Sequence, residues 1–168
     1  MVKKILLAIA IFIPMFWILS PKEAIYYMIE DKLKQSDIII SNEKFHDGLF
    51  GFSVEDGDLY IMGMKSAKIK SIDFNFLLLF NRIVIENVEF KGSGNFFPNS
   101  ISEANIAYSI LNPMAVNVDV NGSFGVAQGR YEIKNSLLHI DFPVSKDVTP
   151  FRSYLQQNEN GLYYETNF

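Results

Sequence analysis

The sequence predicts a mainly β (α+β) protein: an N-terminal transmembrane helix and an amphipathic helix, followed by a curved antiparallel β-sheet. Three observations lead to this fold class. An unbroken apolar run extends from Ile5 to Leu19, apolar residues then recur at helical spacing as far as Leu33, and alternation of apolar and polar residues begins after Gln35. Such alternation gives each strand one apolar and one polar face, as in an antiparallel sheet with one face in water.

The apolar run is short for a membrane span. As a helix it rises about 22 Å, against a hydrocarbon core of roughly 30 Å. A cleaved signal peptide and a buried core helix are therefore alternatives to an anchor. A retained anchor is favoured because Ser20-Pro21 suits signal cleavage poorly. In addition, Lys3, Lys4 and Trp17 can extend the span into the headgroup layers.

Lys3 and Lys4 also set the expected orientation. Because positively charged flanks stay in the cytoplasm, the N-terminus is predicted to be cytoplasmic and the remaining chain to be exported. We therefore expect residues 1–20 to form a single-pass anchor in the inner membrane of a Gram-negative cell. Residues 21–168 are expected to form one β-rich domain in the periplasm.

Composition narrows the range of partners. The formal net charge is −4, which argues against nucleic acid and against polybasic binding to anionic lipid. The chain has no cysteine, so no disulfide supports the exported domain. Its fifteen phenylalanines supply material for an apolar core or an apolar binding surface.

The segment after the apolar run is predicted to be an amphipathic helix that ends near Gln35. Ser20 would be its N-cap, Pro21 its first residue, and Glu23 would complete a capping box. We expect this helix to pack on the sheet, with an interfacial position on the outer leaflet as the alternative. A second helix is predicted near residues 149–157, after a series of strands.

The first strands are predicted at residues 37–41, 59–64, 67–76 and 82–91, and a last strand at 161–168. Within 67–76 the apolar parity changes, which predicts a bulge or bend near Lys70-Ser71. In the next strand, Val84, Val88 and Phe90 are predicted to share the apolar face.

Alternation is cleanest in the last third of the chain. Asn121-Gly122 predicts a hairpin turn, the returning strand is expected to end at Gln128 with a reversal at Gly129, and Asn135-Ser136 predicts another turn. Either helices or a second sheet layer close the resulting apolar face into a core, or the sheet curls into an open groove that holds acyl chains or an apolar partner segment. The residues assigned to this candidate apolar face are Ile106, Tyr108, Val116, Val118, Val120, Tyr131, Ile133, Leu138, Ile140 and Phe142.

No catalytic, cofactor or metal site is predicted. The two histidines, His46 and His139, lie outside any metal-ligand spacing, and His139 falls on the polar parity of its strand. Gly92-Ser93-Gly94 is a tight turn without the further glycine of a dinucleotide site, and Asp56-Gly57-Asp58 lacks the ligand series of a calcium loop. The sequence therefore indicates a protein that is not an enzyme and that needs no cofactor.

The order of motifs resembles a known family. A short anchor precedes Ser20-Pro21-Lys22-Glu23-Ala24, then Leu49-Phe50-Gly51, Ala67-Lys68-Ile69, an apolar stretch at 76–80, and Arg82-Ile83-Val84-Ile85-Glu86-Asn87-Val88 leading to Gly92. This resembles the periplasmic protein N of type II secretion systems, a family related to AsmA-like envelope proteins. The resemblance implies an inner-membrane accessory to secretion or envelope assembly whose β-groove contacts lipid or partner proteins, and it supplies no catalytic residue.

Two functions follow as expectations. The first is a non-enzymatic, single-span inner-membrane protein that acts as an accessory in type II secretion or related envelope assembly, with membrane lipid and other secretion or envelope proteins as partners. The second is an anchored lipid-binding or lipid-transfer module, similar in kind to the β-groove components of lipopolysaccharide export.

Overall fold

The structure is a computed structural model that describes residues 2–77, 79–91, 98–159 and 161–168. The side chain of Trp17 and the Gly92-Ser93-Gly94 turn, both considered above, lie outside the described parts of the chain. Within the described ranges there are two α-helices, twelve strands and one 3-10 helix. Twelve of these fifteen elements are strands, so the predicted mainly β class is confirmed.

The helices are α1 (Val2–Ile18) and α2 (Lys22–Lys34), and the 3-10 helix is Thr149–Tyr154. The strands are β1 (Ile38–Ser41), β2 (Lys44–Asp47), β3 (Gly51–Glu55), β4 (Asp58–Ile61), β5 (Met64–Phe76), β6 (Phe80–Phe90), β7 (Ser100–Ser109), β8 (Ala115–Gly122), β9 (Gly125–Glu132), β10 (Leu137–Ser145), β11 (Gln156–Asn158) and β12 (Gly161–Asn167).

All the strands join one open antiparallel sheet. Its order is β1-β4-β5-β6-β7-β8-β9-β10-β12-β11, with β3 also paired to β5 and β2 paired to β3. From β5 to β10 each strand pairs with its neighbour in sequence, which short connections permit in an antiparallel meander.

Strand register brings apolar residues into rows across the sheet. Directly paired residues lie on the same face, so one row can be followed from strand to strand. One long row crosses eight strands through Phe52, Phe74, Ile83, Ile106, Val118, Gly129, Ile140 and Tyr164. A second row runs through Phe76, Asn81, Tyr108, Val116, Tyr131, Leu138 and Thr166.

The predicted change of parity in β5 is present. Ile69 and Ile72 are both buried although they are three residues apart. Their partners in β6, Val88 and Ile85, show the same shift, and Asn87 between them has a φ of 49°. The bend therefore crosses both strands, and it keeps apolar side chains on one face on either side of it.

The predicted face of β6 is wrong in part. Val88 and Phe90 pack in the core as expected, but Ile83 and Ile85 join them there in place of Val84. Val84 instead pairs with Asp73 and Asn105, on the polar side. Because β6 has apolar residues at both parities, alternation alone could not select the buried set.

The apolar face is covered at its two ends. At one end α2 packs on the sheet, and a cluster of buried residues forms there from Tyr26, Ile40, Phe52, Val54, Ala67, Ile69, Ile72, Phe74 and Val88. At the other end the 3-10 helix covers a smaller cluster of Phe124, Ala127, Phe142 and Val148. Of the two positions considered for α2, the structure shows the one packed on the sheet.

Tyr26 fixes α2 to the sheet. Its ring contacts Phe45 and Phe52 with centroid distances of 5.8 and 5.9 Å, and its hydroxyl donates to Glu43 Oε1 at 2.7 Å. Burial, and then this hydrogen bond to Glu43, raise the pKa of the Tyr26 hydroxyl far above its usual value. Residues 19–21 alone separate α2 from α1, so α1 leaves the domain close to this contact.

The predicted cap of α2 is also wrong. Pro21 precedes the first helical residue, Lys22, and no side chain caps the helix. The helix predicted near 149–157 is a 3-10 helix that ends at Tyr154, after which β11 begins.

Two turns in the last third differ from the prediction. Gly122 pairs with Gly125, so the hairpin turn lies at Ser123-Phe124 instead of Asn121-Gly122. The reversal expected at Gly129 does not occur, because β9 continues to Glu132. The turn predicted at Asn135-Ser136 is confirmed.

α1 covers most of the apolar run. Its described apolar side chains at Val2, Ile5, Leu6, Leu7, Ile11, Phe12 and Met15 are all more than half exposed. Among the described residues, no helix has both the length and the apolar character needed to cross a membrane. The structure therefore does not support the predicted transmembrane helix.

Strand parity in β8 can be tested with a matched pair of carboxylates. Val118 lies on the apolar face, whereas Asn117 is exposed on the polar face. We expect Val118→Asp to lower the free energy of unfolding by about 2 kcal/mol, because a charged group would enter an apolar surface and β-propensity would be lost. Asn117→Asp should change it by less than about 0.5 kcal/mol. Denaturant melts of both variants measure the difference, and equal effects would contradict the parity.

Candidate functional site

Between the two covered ends, the apolar side of the sheet remains partly exposed. We call this surface the open apolar face. It consists of Ile83, Ile106, Tyr108, Val116, Val118, Tyr131, Leu138 and Ile140, all of intermediate exposure. The corresponding residues under α2, such as Phe52 and Val54, are buried. The difference arises because neither α2 nor the 3-10 helix covers the middle strands.

The structure places seven of the ten residues predicted for the apolar face within this surface: Ile106, Tyr108, Val116, Val118, Tyr131, Leu138 and Ile140. Phe142 is buried in the cluster beneath the 3-10 helix, and Val120 packs against that cluster, as does Ile140 at the margin of the open apolar face. Ile133 lies beyond the end of β9, in the turn before β10, and is exposed.

Sequence analysis did not assign Ile83 and Gly129 to this face. Ile83 was missed because of the parity error in β6. Gly129 lies between Val118 and Ile140 in the long row, and its missing side chain leaves a depression there. A strand glycine with bulky neighbours on both sides is the signal that could have indicated it.

Two clefts adjoin this depression. The first, of about 360 Å³, is lined by Val118, Val120, Phe124, Ala127, Gly129, Leu138, Ile140, Phe142 and Phe151. The second, of about 390 Å³, is lined by Ile140, Phe142, Phe151, Tyr154, Leu155 and Tyr164. Phe151, from the 3-10 helix, borders both clefts. Its ring stacks on Phe142 at 5.8 Å and meets the edge of Phe124 at 5.7 Å.

A smaller pocket of about 200 Å³ lies where α1 joins α2. Its lining comprises Ser20, Lys22, Ile25, Phe50, Gly51, Phe76 and Asn81. Lys22 is only 6% exposed, and its Nζ lies 2.9 Å from Asp47 Oδ1. Because Asn81, which lines this pocket, pairs directly with Tyr108, the pocket lies next to the open apolar face.

The polar side of the same strands carries an ionic cluster. His139 Nδ1 lies 2.9 Å from Glu165 Oε2, and its Nε2 lies 3.2 Å from Asp141 Oδ1. Its ring stacks on Tyr163 at 5.5 Å. The hydrogen bond to Glu165, and then that to Asp141, raise the pKa of His139 above its usual value, against the opposing effect of burial.

This polar cluster does not form a metal centre. In the described parts of the chain, no group of three or more histidine or acidic side chains is arranged to hold a metal ion. The cluster is explained by cross-strand pairing, because His139 lies directly opposite both Arg130 and Glu165.

The open apolar face can exclude water and make dispersion contacts with an apolar ligand. Its polar groups include the hydroxyls of Tyr108 and Tyr131, both in the row that begins at Phe76 and Asn81. Such a surface is suited to binding an apolar ligand, because the side chains that form it are aliphatic or aromatic.

Comparison with known proteins gives no further assignment. No protein-family model, curated protein or solved structure matches the chain. The resemblance to the type II secretion protein N family therefore stays a prediction from the residues quoted above.

The ion pairs of His139 predict a pH dependence of stability. Because folding raises the pKa of His139 above 6.5, its contribution is complete below pH 6.5 and is lost as the pH rises through the folded-state pKa. We expect the free energy of unfolding to fall as the pH is raised above about 6.5. His139→Gln should reduce that fall, as measured by denaturant midpoints across a pH series.

The control for this series is His46→Gln, which removes the other histidine of the chain. His46 Nε2 lies 3.5 Å from the single carboxylate of Glu55, whereas His139 has two closer carboxylate partners, so His46→Gln should change the slope less than His139→Gln does. An unchanged slope in His139→Gln, or wild-type stability that increases over the same range, would contradict the assignment.

Proposed function

We propose that the chain is a non-enzymatic, single-pass inner-membrane protein whose periplasmic β-rich domain binds lipid acyl chains on its open apolar face. The observation that supports this most is the partial exposure of aliphatic and aromatic rows in the middle of the sheet. Keeping such a surface in water is unfavourable by roughly 25 cal/mol per Å², so a bound apolar ligand stabilises it. We also propose that curvature of the sheet shapes the open apolar face into a groove.

An acyl chain suits this surface better than a peptide does. A peptide would bring backbone N–H and C=O groups that need hydrogen-bond partners. The open apolar face offers side chains of Ile, Val and Leu, whereas the backbone groups of its strands are already paired within the sheet. A lipid tail carries no polar groups, so it loses nothing on entering the clefts beside Gly129 and Phe151.

The proposed anchor is α1 with its flanking residues. Seven of its large apolar side chains, between Val2 and Met15, are more than half exposed, which is unfavourable in water. Lys3 and Lys4 can extend toward the cytoplasmic headgroups, and Leu19 prolongs the apolar segment at the other end. This arrangement would place the domain beside the outer leaflet of the inner membrane, where lipid is its nearest ligand.

A second candidate function is the accessory role in type II secretion or envelope assembly. It is favoured by the two terminal strands of the sheet, β1 and β11, each of which has one edge directed away from the sheet. Such an edge can pair with an extended segment of a partner protein. This role agrees with the family resemblance, and it predicts protein partners where the first candidate predicts bound lipid.

Lipid binding can be separated from folding by filling the depression at Gly129. A Cβ there would lie 3.4 Å from Ile140 Cγ1 and Val118 Cβ, so the strand can accept a small side chain. We expect the purified full chain to carry lipid in a near-stoichiometric amount, and Gly129→Val to lower it about fivefold with little change in melting temperature. Organic extraction followed by mass spectrometry measures the lipid.

The matched control is Gln128→Val, which adds the same side chain to the polar face of β9. It should retain the wild-type amount of lipid, including any lipid that surrounds α1. Wild-type protein without lipid, or equal lipid in the two valine variants, would argue against the acyl-chain function and in favour of the assembly role.

The proposed topology predicts an exported C-terminus. A reporter enzyme that is active only outside the cytoplasm should work when fused after Phe168, and membranes washed with carbonate should retain the fusion. Deleting residues 2–18 should abolish both the reporter activity and the retention of the fusion in carbonate-washed membranes. An intact but inactive fusion would reverse the topology, and release by carbonate would indicate a cleaved or peripheral segment.

A further inference from the structure

One end of the sheet carries a series of exposed apolar side chains. We call this series the apolar rim. Its members are between 43% and 81% exposed: Leu49, Phe50, Leu77, Leu79, Phe80, Ile110, Leu111, Met114, Ile133 and Phe168. They come from the loops between β2 and β3, β5 and β6, β7 and β8, and β9 and β10, from the first residue of β6, and from the residue after β12. Strand directions in the antiparallel sheet bring all five segments to the same end.

The apolar rim is held together by backbone hydrogen bonds between neighbouring segments. The bonds run from Phe76 N–H to Phe50 O at 2.8 Å, from Ile110 N–H to Leu79 O at 3.0 Å, from Ile133 N–H to Met114 O at 2.9 Å, and from Phe168 N–H to Ser136 O at 3.0 Å. The exposed side chains therefore project from an ordered edge that crosses eight neighbouring strands, about 34 Å at ordinary strand spacing.

The described residues at the other end of the sheet are mainly polar. Lys91, Lys146, Asp147 and Glu159 are exposed there. The exposed apolar exceptions include Met62 in the β4–β5 turn, Met64 at the start of β5 and Val144 near the end of β10. Among the described residues, exposed apolar side chains are therefore more numerous at the apolar rim than at the other end of the sheet.

The chain enters the domain at the end that carries the apolar rim. Ser20, two residues after α1, lines a pocket together with Phe50 of the rim and Phe76 at the end of β5. The medium that surrounds the apolar side chains of α1 is therefore adjacent to the apolar rim. The rim loops also contain the exposed polar residues Asn112 and Lys134, a mixture that suits the boundary between headgroups and acyl chains.

We propose that the apolar rim inserts into the outer leaflet of the bilayer, so that the sheet stands with this end in the membrane interface. The inference rests on the proposed function, because the proposed α1 anchor identifies the bilayer as the surface that the rim contacts. It goes beyond that function by assigning the rim loops as a second, separate membrane contact. Aromatic and aliphatic loop tips partition favourably into this layer.

This position explains the order of surfaces along the sheet. The row of Phe76, Asn81, Tyr108, Val116 and Tyr131 lies next to the rim, and the row of Ile106 and Val118 lies beyond it. An acyl chain that leaves the leaflet at the rim meets the open apolar face without crossing water.

Single labels can measure the depth of the rim, because the chain has no cysteine. Leu111→Cys places a label on the rim, Met62→Cys places one at the opposite end, and Leu7→Cys places one on α1. The first two side chains are 74% and 75% exposed, which makes them a matched pair for labelling without disturbing the fold. Each full-length variant is coupled to a polarity-sensitive fluorophore and reconstituted in vesicles of phosphatidylethanolamine and phosphatidylglycerol that contain nitroxide-labelled lipid.

We expect nitroxide lipid to quench the Leu111→Cys label about threefold more than the Met62→Cys label. Iodide in the aqueous phase should show the reverse order. If the Leu7→Cys label is quenched by lipid but the Leu111→Cys label is no more affected than Met62→Cys, the rim inference is overturned while the anchor stands. If only the Leu111→Cys label is quenched, the rim contact stands and the anchor fails. Absence of quenching at both positions overturns both.

Discussion

The structure depends on one constraint, which is that the sheet has more apolar face than its helices can cover. The ten-strand path from β1 to β11 is about 43 Å wide at ordinary strand spacing, whereas α2, with thirteen residues, is about 20 Å long. Burial is therefore concentrated at two places, under α2 and under the 3-10 helix. The middle strands keep their register and their apolar row but remain open to a ligand.

Strand register joins the two covered regions and the open apolar face into one continuous surface. The row from Phe52 to Tyr164 passes from the α2 core, across the open apolar face, to the far edge of the sheet without a change of side. The joint change of phase in β5 and β6 preserves this continuity where the strands bend. A single apolar surface can thus serve as core at its ends and as binding face at its centre, with the same residue types in both roles.

The sequence pattern predicted the faces correctly where one parity was apolar and the other mainly polar. This holds for β7 and β8, and it correctly placed Ile106, Val116 and Val118 on one face. It failed in β6, where apolar residues occupy both parities and the positive φ of Asn87 is not visible in a pattern. It misplaced the hairpin turn by two residues because Phe124, which occupies the turn, is buried in the smaller core. The extent of the open apolar face could not be predicted, because coverage by α2 and the 3-10 helix is a tertiary property.

The contact of Tyr26 with Glu43, Phe45 and Phe52 has a mechanical consequence. Since residues 19–21 are the whole connection between α1 and α2, they can span no more than about 10 Å. Because α2 is fixed to the sheet, this connection is much shorter than a long flexible linker between α1 and the domain would be. The short connection keeps the start of α2, and with it the edge of the sheet that α2 contacts, within about 10 Å of the C-terminal end of α1.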